Sequence, residues 1–413
     1  MGKKHKYSKI VKDKKLWLFM GSGLIVSVAY IDPGNWGTNI AGGSSFNYDL
    51  LWVIWMASGM AMLFQYLSGK LGVAGYSLPQ LVKQKLKYKS LIIAYWLLAE
   101  IAILATDLAE FLGIAVALNL LLGIPLLWGA IIGIADVFFI LLFTQKRFRI
   151  LEKVFIGFIG IIGLSFIYEV FISKPDVHLI LLHSIKPILT SQNIFIAVGI
   201  IGATVMPHAL FVHSWLVKNK KKHISFKDRL KILRYHRVDN IISLSIAGVI
   251  NAAMLIMAAA AFYGVSDVVT LGGAYKTLIP LFGNLAAFVF AIALLVAGIS
   301  SSITATLAGE SIMEGLTGFK IKPWVRRVIT RLINMVPLII AIILGIEPLK
   351  MLIYSQAALS FLLPLPLIPL IMFTADKKLM KELTNKRSTT IIAIIFACII
   401  LLFNFYLLYH LLV

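Results

Sequence analysis

Eleven apolar runs, each long enough to cross a bilayer, take up most of this chain. They lie near 17–41, 50–72, 91–118, 124–144, 154–173, 194–217, 239–264, 282–311, 326–345, 350–373 and 389–411. A crossing helix needs about 20 apolar residues. Inside hydrocarbon the backbone must satisfy its own N–H and C=O groups, so runs of this kind fold as helices packed on helices. Composition agrees. Of 413 residues 60% are hydrophobic and 14% charged, where a soluble chain carries about a quarter charged. The fold class expected is an all-α polytopic membrane protein with 11 transmembrane helices. Its one cysteine, Cys398, falls inside the last run, so no disulfide framework exists.

The basic residues predict the orientation. Seven Lys lie in 1–15, and further basic clusters fall at 70–89, 146–153, 218–237, 320–331 and 377–387. Together they hold 35 of the 39 Lys and Arg, and only Lys174, Lys186, Lys276 and Lys350 lie in the loops between. Cytoplasmic loops of membrane proteins carry such an excess, which places the N-terminus inside and the C-terminus outside. The net charge of +21 therefore reads as topology and lipid contact rather than nucleic-acid binding. The basic segment 1–15 leads straight into the first span without a small-residue cleavage pattern. A single transmembrane domain over 16–411 is expected, in a plasma membrane of the bacterial inner-membrane type and as a monomer. The basic stretch Lys218–Arg237 is read as a cytoplasmic connector. Trp17, Trp52, Trp96 and Trp128 suit the membrane interface.

Two of the runs are interrupted. Ala29-Tyr30-Ile31-Asp32-Pro33-Gly34-Asn35-Trp36 sits in the first. Pro33 has no N–H for the carbonyl of Ala29, so Tyr30 to Asp32 lose helix geometry, and Gly34 permits a further bend. A carboxylate at the bilayer centre costs roughly 2.5–3.5 kcal/mol on insertion scales, so Asp32 is a functional candidate beyond its aptitude as a helix N-cap. In the sixth run, Gly202-Ala203-Thr204-Val205-Met206-Pro207-His208, Pro207 frees the carbonyl of Ala203 and stands beside the thioether of Met206. Most buried methionines are core filler, but this one faces a second break five spans after the first. Broken helices 1 and 6 in matching positions mark an inverted repeat of two five-helix halves with a midplane site. The halves would be 16–173 and 194–373, with an extra helix at 389–411. A carboxylate, an amide oxygen, a carbonyl and a thioether make a mixed donor set. Magnesium and calcium prefer all-oxygen shells, so the sulfur points to manganese, iron(II) or a similar ion.

These residues resemble the Nramp divalent-metal transporters of the LeuT-like fold. Beyond the two interrupted motifs the likeness includes Ala105-Thr106-Asp107-Leu108-Ala109-Glu110, Ser302-Ile303-Thr304 with Thr306-Leu307-Ala308-Gly309, Arg326-Arg327 with Thr330-Arg331, and Ser355-Gln356. The resemblance implies proton-coupled uptake of manganese or iron(II) by alternating access. It makes Asp32, Asn35, Met206 and the Ala203 carbonyl the metal ligands, with Gln356 closing over the ion. The metal is cargo, and no cofactor is expected. Cadmium and cobalt are not ranked against manganese and iron by sequence. Some relatives that move magnesium lack the methionine at the position of Met206. Two positions depart from the family pattern, Ala209 where asparagine is usual and Ile299 where glutamine is usual.

The proton route is read from charge in the third run. Glu100, Asp107 and Glu110 are spaced seven and three apart, on one helical face. Intramembrane carboxylates mark proton relays, and Arg326, Arg327 and Arg331 are candidate partners. A structural ion-pair network is the plainer reading. His208 could pass a proton, while His213, five residues on, is rotated away and would be a secondary pathway residue. Asp136 and Glu169 receive no role, and Glu169 is placed near the outer interface. Alternatives are a same-fold carrier of magnesium or an organic cation, which leaves Met206 unexplained, or a non-transporting metal sensor, which lacks an output domain. No H-E-x-x-H or nucleophile elbow supports a hydrolase, so no enzyme is expected.

Overall fold

The structure, a computed structural model, describes residues 22–135, 148–219, 226–265 and 271–412, with side chains omitted at 148–152, 226–228, 271 and 275. The segment 1–15, Trp17, Asp136, and the loop cations Lys146, Arg147 and Lys220 to Lys222 lie outside the described residues. The first half comprises α1 (Ser22–Ala29), α2 (Pro33–Phe46), α3 (Leu51–Ala74), α4 (Leu78–Lys85), α5 (Lys89–Leu122), α6 (Leu126–Gly133) and α7 (Phe148–Ser173). After α8 (Val177–Ile185) come α9 (Ile194–Val205), α10 (Pro207–Asn219), α11 (Phe226–Phe262), α12 (Leu271–Phe282) and α13 (Asn284–Leu316). The chain ends through α14 (Pro323–Ile343), α15 (Pro348–Leu362), α16 (Pro364–Ala375), α17 (Lys377–Met380) and α18 (Arg387–Leu412). No strand occurs among the described residues.

Eight helices or collinear pairs in this set are long and apolar enough to cross a membrane. The three remaining runs fall short for visible reasons. The first begins outside the described residues and is interrupted, and the fourth continues past Ala135 beyond them. The third, α14, carries Arg326, Arg327 and Arg331 within its 21 residues. The connector after Lys218 differs from expectation, because Phe226 already starts a helix of 37 residues. Lys218–Arg237 is thus in part the extension of a spanning helix.

Proline sets each interruption. Ahead of Pro33 the helix tightens, with Tyr30 N–H donating to Ser27 O at 3.1 Å and Ile31 N–H to Val28 O at 3.2 Å. Such bonds of 3₁₀ type are the usual way for a helix to end. Asp32 then caps α2, its Oδ1 accepting from Asn35 N–H at 2.8 Å. A third interruption, not expected from the sequence, separates α15 from α16 at Pro364. The Ser360 carbonyl, deprived of its α-helical donor, accepts from Leu363 N–H at 3.2 Å and from the Asn404 side-chain amide at 2.9 Å. That bond ties α18 to α15.

The helices pack backbone to backbone through small residues, as membrane bundles do. A methyl group on Gly43 of α2 would strike Leu255 O and Ala259 N of α11, and one on Gly113 of α5 would strike the Pro33 ring. The outer helices are turned inside out relative to a soluble protein. In α14 the arginines, Thr330 and Asn334 are buried, whereas Ile329, Leu332, Ile333, Val336 and Ile340 are exposed. That distribution suits lipid rather than water around the bundle.

Candidate metal site

The two interrupted helix pairs meet through Asn35. Its Nδ2 donates to Asp32 Oδ1 at 2.9 Å and to the Ala203 carbonyl at 3.1 Å. The carbonyl that Pro207 leaves without a helical donor is therefore taken up by the other break. Thr204 Oγ1 donates to Asn35 Oδ1 at 3.3 Å, so the same amide is held from both helices. Asp32, Asn35, Ala203 and Met206 are at most 1% exposed.

Met206 links α9 to α10 with φ 49° and ψ 102°. A non-glycine residue at positive φ costs on the order of 1–3 kcal/mol and persists only where its surroundings hold it. Glycine lets α15 press against this region. A Cβ on Gly202 would collide with the Gln356 carbonyl and with Ser360 N, and one on Gly34 would collide with the Gln356 side-chain amide. Gln356 thus stands against both interrupted segments. Its Nε2 donates to Ser355 Oγ at 3.0 Å, whereas its Oε1 has no hydrogen-bond partner. Asp32 Oδ2 is buried and unpartnered as well. Nearly all buried polar atoms are satisfied in folded proteins, so two orphaned oxygens against the same breaks suit a bound cation. No group of three or more His, Cys, Asp or Glu that could hold a metal occurs among the described residues. A metal here would rely on the mixed oxygen and sulfur set.

Over residues 23–410 the sequence matches the Nramp family, described as natural resistance-associated macrophage protein-like. The chain belongs to that family. It is 42% identical over 402 residues to the divalent metal cation transporter MntH of Deinococcus radiodurans, covering 97% of this chain and 91% of the relative. MntH of Listeria welshimeri is 42% identical over 408 residues, 96% of this chain and 90% of the relative. A manganese transporter of Eremococcus coleocola, solved with an aromatic bis-isothiourea substituted compound, gives a TM-score of 0.86 at 33% identity over 94% of this chain and 85% of that one. Mhp1, a nucleobase-cation-symport-1 family transporter, gives a TM-score of 0.60 at 14% identity over 95% and 89% of the chains, a likeness of fold alone.

In this Nramp chain the charged residues of α5 and α14 meet as an ion-paired ladder. Arg326 pairs with Glu100, and Arg327 bridges Asp107 and Glu110. Arg331 Nη1 donates to the Asp107 backbone carbonyl at 2.9 Å. Ladder and site are neighbours: His208, two residues past Met206, shares a 3.0 Å hydrogen bond with Thr106 Oγ1, next to Asp107. His213 bonds Gln65 Oε1 through Nδ1 at 2.7 Å.

Several residues around the site were not singled out from sequence. Gln65 Nε2 donates to Tyr30 O–H oxygen at 2.8 Å, and that hydroxyl reaches Val205 O at 3.5 Å. Asn251 Nδ2 donates to the Tyr30 carbonyl at 2.7 Å. Gln65 and Asn251 are polar residues inside apolar runs, which is the one signal that sequence offered. Of the two departures from the family pattern, Ala209 is fully buried and Ile299 half-buried. Glu169, expected near the outer interface, is 1% exposed, and neither of its oxygens has a hydrogen-bond partner.

Proposed function

We propose that this chain imports divalent transition-metal ions, manganese foremost, together with protons, by alternating access. The observation that carries this reading is the junction of the two interrupted helices. Asp32, Asn35 and the Ala203 carbonyl are hydrogen-bonded to one another there, with Met206 and Gln356 against them and two oxygens unpartnered. Asp32, Asn35, Ala203 and Met206 would hold the ion and Gln356 would close over it. The thioether favours first-row transition metals over magnesium and calcium. The divalent metal cation and manganese transporters among the relatives support the same substrate class. Protons would move along His208 and the ladder of Asp107, Glu110, Glu100, Arg326 and Arg327, with His213 on a secondary branch.

The architecture that goes with this reading has 11 spans, counting α1 with α2, α9 with α10 and α15 with α16 as single interrupted spans. Two inverted five-span halves, 16–173 and 194–373, would flank the ion, and α18 would be the added span. The basic loops put the N-terminus in the cytoplasm and the C-terminus outside.

Manganese uptake into liposomes, with magnesium and calcium as competitors, tests the substrate. Wild type is expected to ignore excess magnesium, and Met206→Ala is expected to lose that discrimination. Equal responses of the two proteins to magnesium would remove the sulfur from the selector. Uptake of an organic cation in place of manganese would favour the same-fold carrier instead.

A further inference from the structure

Lys70 lies one turn before the end of α3 and is 5% exposed. Its Nζ donates to the Asn385 side-chain oxygen at 2.8 Å, a neutral acceptor. A second cation stands close by. Arg237 of α11 has its Cζ 5.1 Å from the centre of the Tyr66 ring, and Lys70 Nζ is 5.8 Å from the same point. Arg237 is exposed and donates from Nη2 to the Tyr66 hydroxyl at 3.1 Å. Among the described residues neither cation forms an ion pair with Asp or Glu. The acids closest to this region in sequence are turned elsewhere. Asp239 accepts from Gly23 N–H at 2.8 Å, and Asp376 caps α17 by accepting from Lys378 N–H at 2.8 Å.

Buried charges in proteins are paired, because a lone one gives up its hydration with no opposite charge in return. Here the charged neighbour is of like sign, which adds repulsion to that loss. The Tyr66 ring attracts both cations but lacks the full charge of a carboxylate. An ammonium has three N–H donors, and Asn385 takes only one of them. The walls of the pocket are firm. Asn385 is tied to α16, its N–H donating to Thr374 O at 3.0 Å and its Nδ2 to Thr374 Oγ1 at 2.9 Å. Lys386 and Arg387, exposed beside Asn385, add positive charge at the rim. Ile241, one turn beyond Arg237 on the same face of α11, is exposed, as is its neighbour Ile242.

We propose that this pocket binds the phosphate headgroup of an anionic phospholipid. The phosphate supplies the charge that Lys70 and Arg237 lack and takes charged N–H donors from both. The acyl chains lie against Ile241 and Ile242, which is why a lipid fits better than a free phosphate. Basic pockets between membrane helices hold lipid headgroups in this way on the side where the leaflet is anionic, and the basic loops put this pocket on that side. Bound there, the lipid ties α3 to α11 and to the segment between α16 and α18. The inference depends on that placement in the membrane and not on which ion the chain transports.

The test is the melting temperature of the full-length protein in phosphatidylcholine nanodiscs as phosphatidylglycerol is added. Wild type should gain stability and then saturate. Lys70→Met keeps the buried stem without its charge, and Arg237→Gln alters only an exposed side chain. Each should need about fivefold more phosphatidylglycerol to reach half its gain, the share of one cation near a membrane surface. In phosphatidylcholine alone Lys70→Met should melt no lower than wild type, because it removes a charge without a counter-ion. Lys87→Gln deletes an exposed charge just after α4 and controls for the general attraction of a basic protein to anionic lipid. It should titrate as wild type does, and inorganic phosphate in phosphatidylcholine nanodiscs should change nothing. A wild type that gains no stability, or equal titration of all four proteins, would overturn the site. A full gain from inorganic phosphate would overturn the lipid as its occupant. If Lys70→Met does not fold, Arg237→Gln decides alone, and a titration matching wild type counts against the proposal.

Discussion

A single methyl group at Gly202 would report whether the close approach of α9 and α15 holds the candidate site together. Its carbon would lie 2.7 Å from Ser360 N and nearer still to the Gln356 carbonyl, where ordinary contact begins near 3.4 Å. Both obstacles are backbone, so no side-chain rotation relieves them and α15 must retreat by roughly 1 Å. Overpacking of this kind costs about 1–3 kcal/mol. The retreat carries Gln356 away from the Asp32 junction. If the whole cost falls on the ion-bound conformation, manganese affinity should drop by about 5- to 150-fold at 1.4 kcal/mol per factor of ten. Calorimetry of manganese binding to purified Gly202→Ala measures this directly. Gly59→Ala is the control, because a methyl group there meets no heavy atom within 4 Å. Should the Gly202 variant bind manganese and melt like the Gly59 variant, the packing argument for Gln356 is wrong.

Three further perturbations separate the parts of the site. Asp32→Ala should abolish manganese binding and uptake, since it removes the carboxylate whose Oδ2 is unpartnered at the junction; unchanged affinity would take Asp32 out of the ligand set. Asp107→Asn should diminish the acidification that accompanies manganese uptake in a pH-reporting liposome assay, whereas an unaltered pH signal would leave the α5 acids as scaffold. Asn404→Ala removes the two hydrogen bonds that tie Asn404 to the Ser360 carbonyl and hydroxyl, leaving the carbonyl only its Leu363 N–H donor, and should lower stability by about 1–3 kcal/mol. The matching observable is a fall in melting temperature that Asn404→Gln does not rescue, because its longer side chain misplaces the amide.

The sequence was sufficient for features that depend on a residue and its immediate neighbours. Pro33 and Pro207 each remove a donor wherever the helix lies in space, so the interruptions ahead of them were readable from the chain alone. The Ala203 carbonyl was named on the same ground, and the structure shows it accepting from Asn35. The spacing of Glu100, Asp107 and Glu110 fixed their common face because a helix repeats every 3.6 residues. Pro364 carried the same local signal as the other two prolines, but its consequence depends on Asn404, which lies 40 residues further on and arrives only through packing.

What tertiary structure alone decided is how each polar atom is partnered. Arg327 could have served either acid, and the structure sets it between Asp107 and Glu110. His213 was singled out by sequence without a partner, and the structure sets its Nδ1 against Gln65 on the helix of the second apolar run. Glu169 is a case of the same kind, buried with neither oxygen partnered. Nothing along the chain distinguishes a carboxyl that finds a partner from one that does not, because hydrogen bonding among buried groups is settled by which helices touch and at what depth.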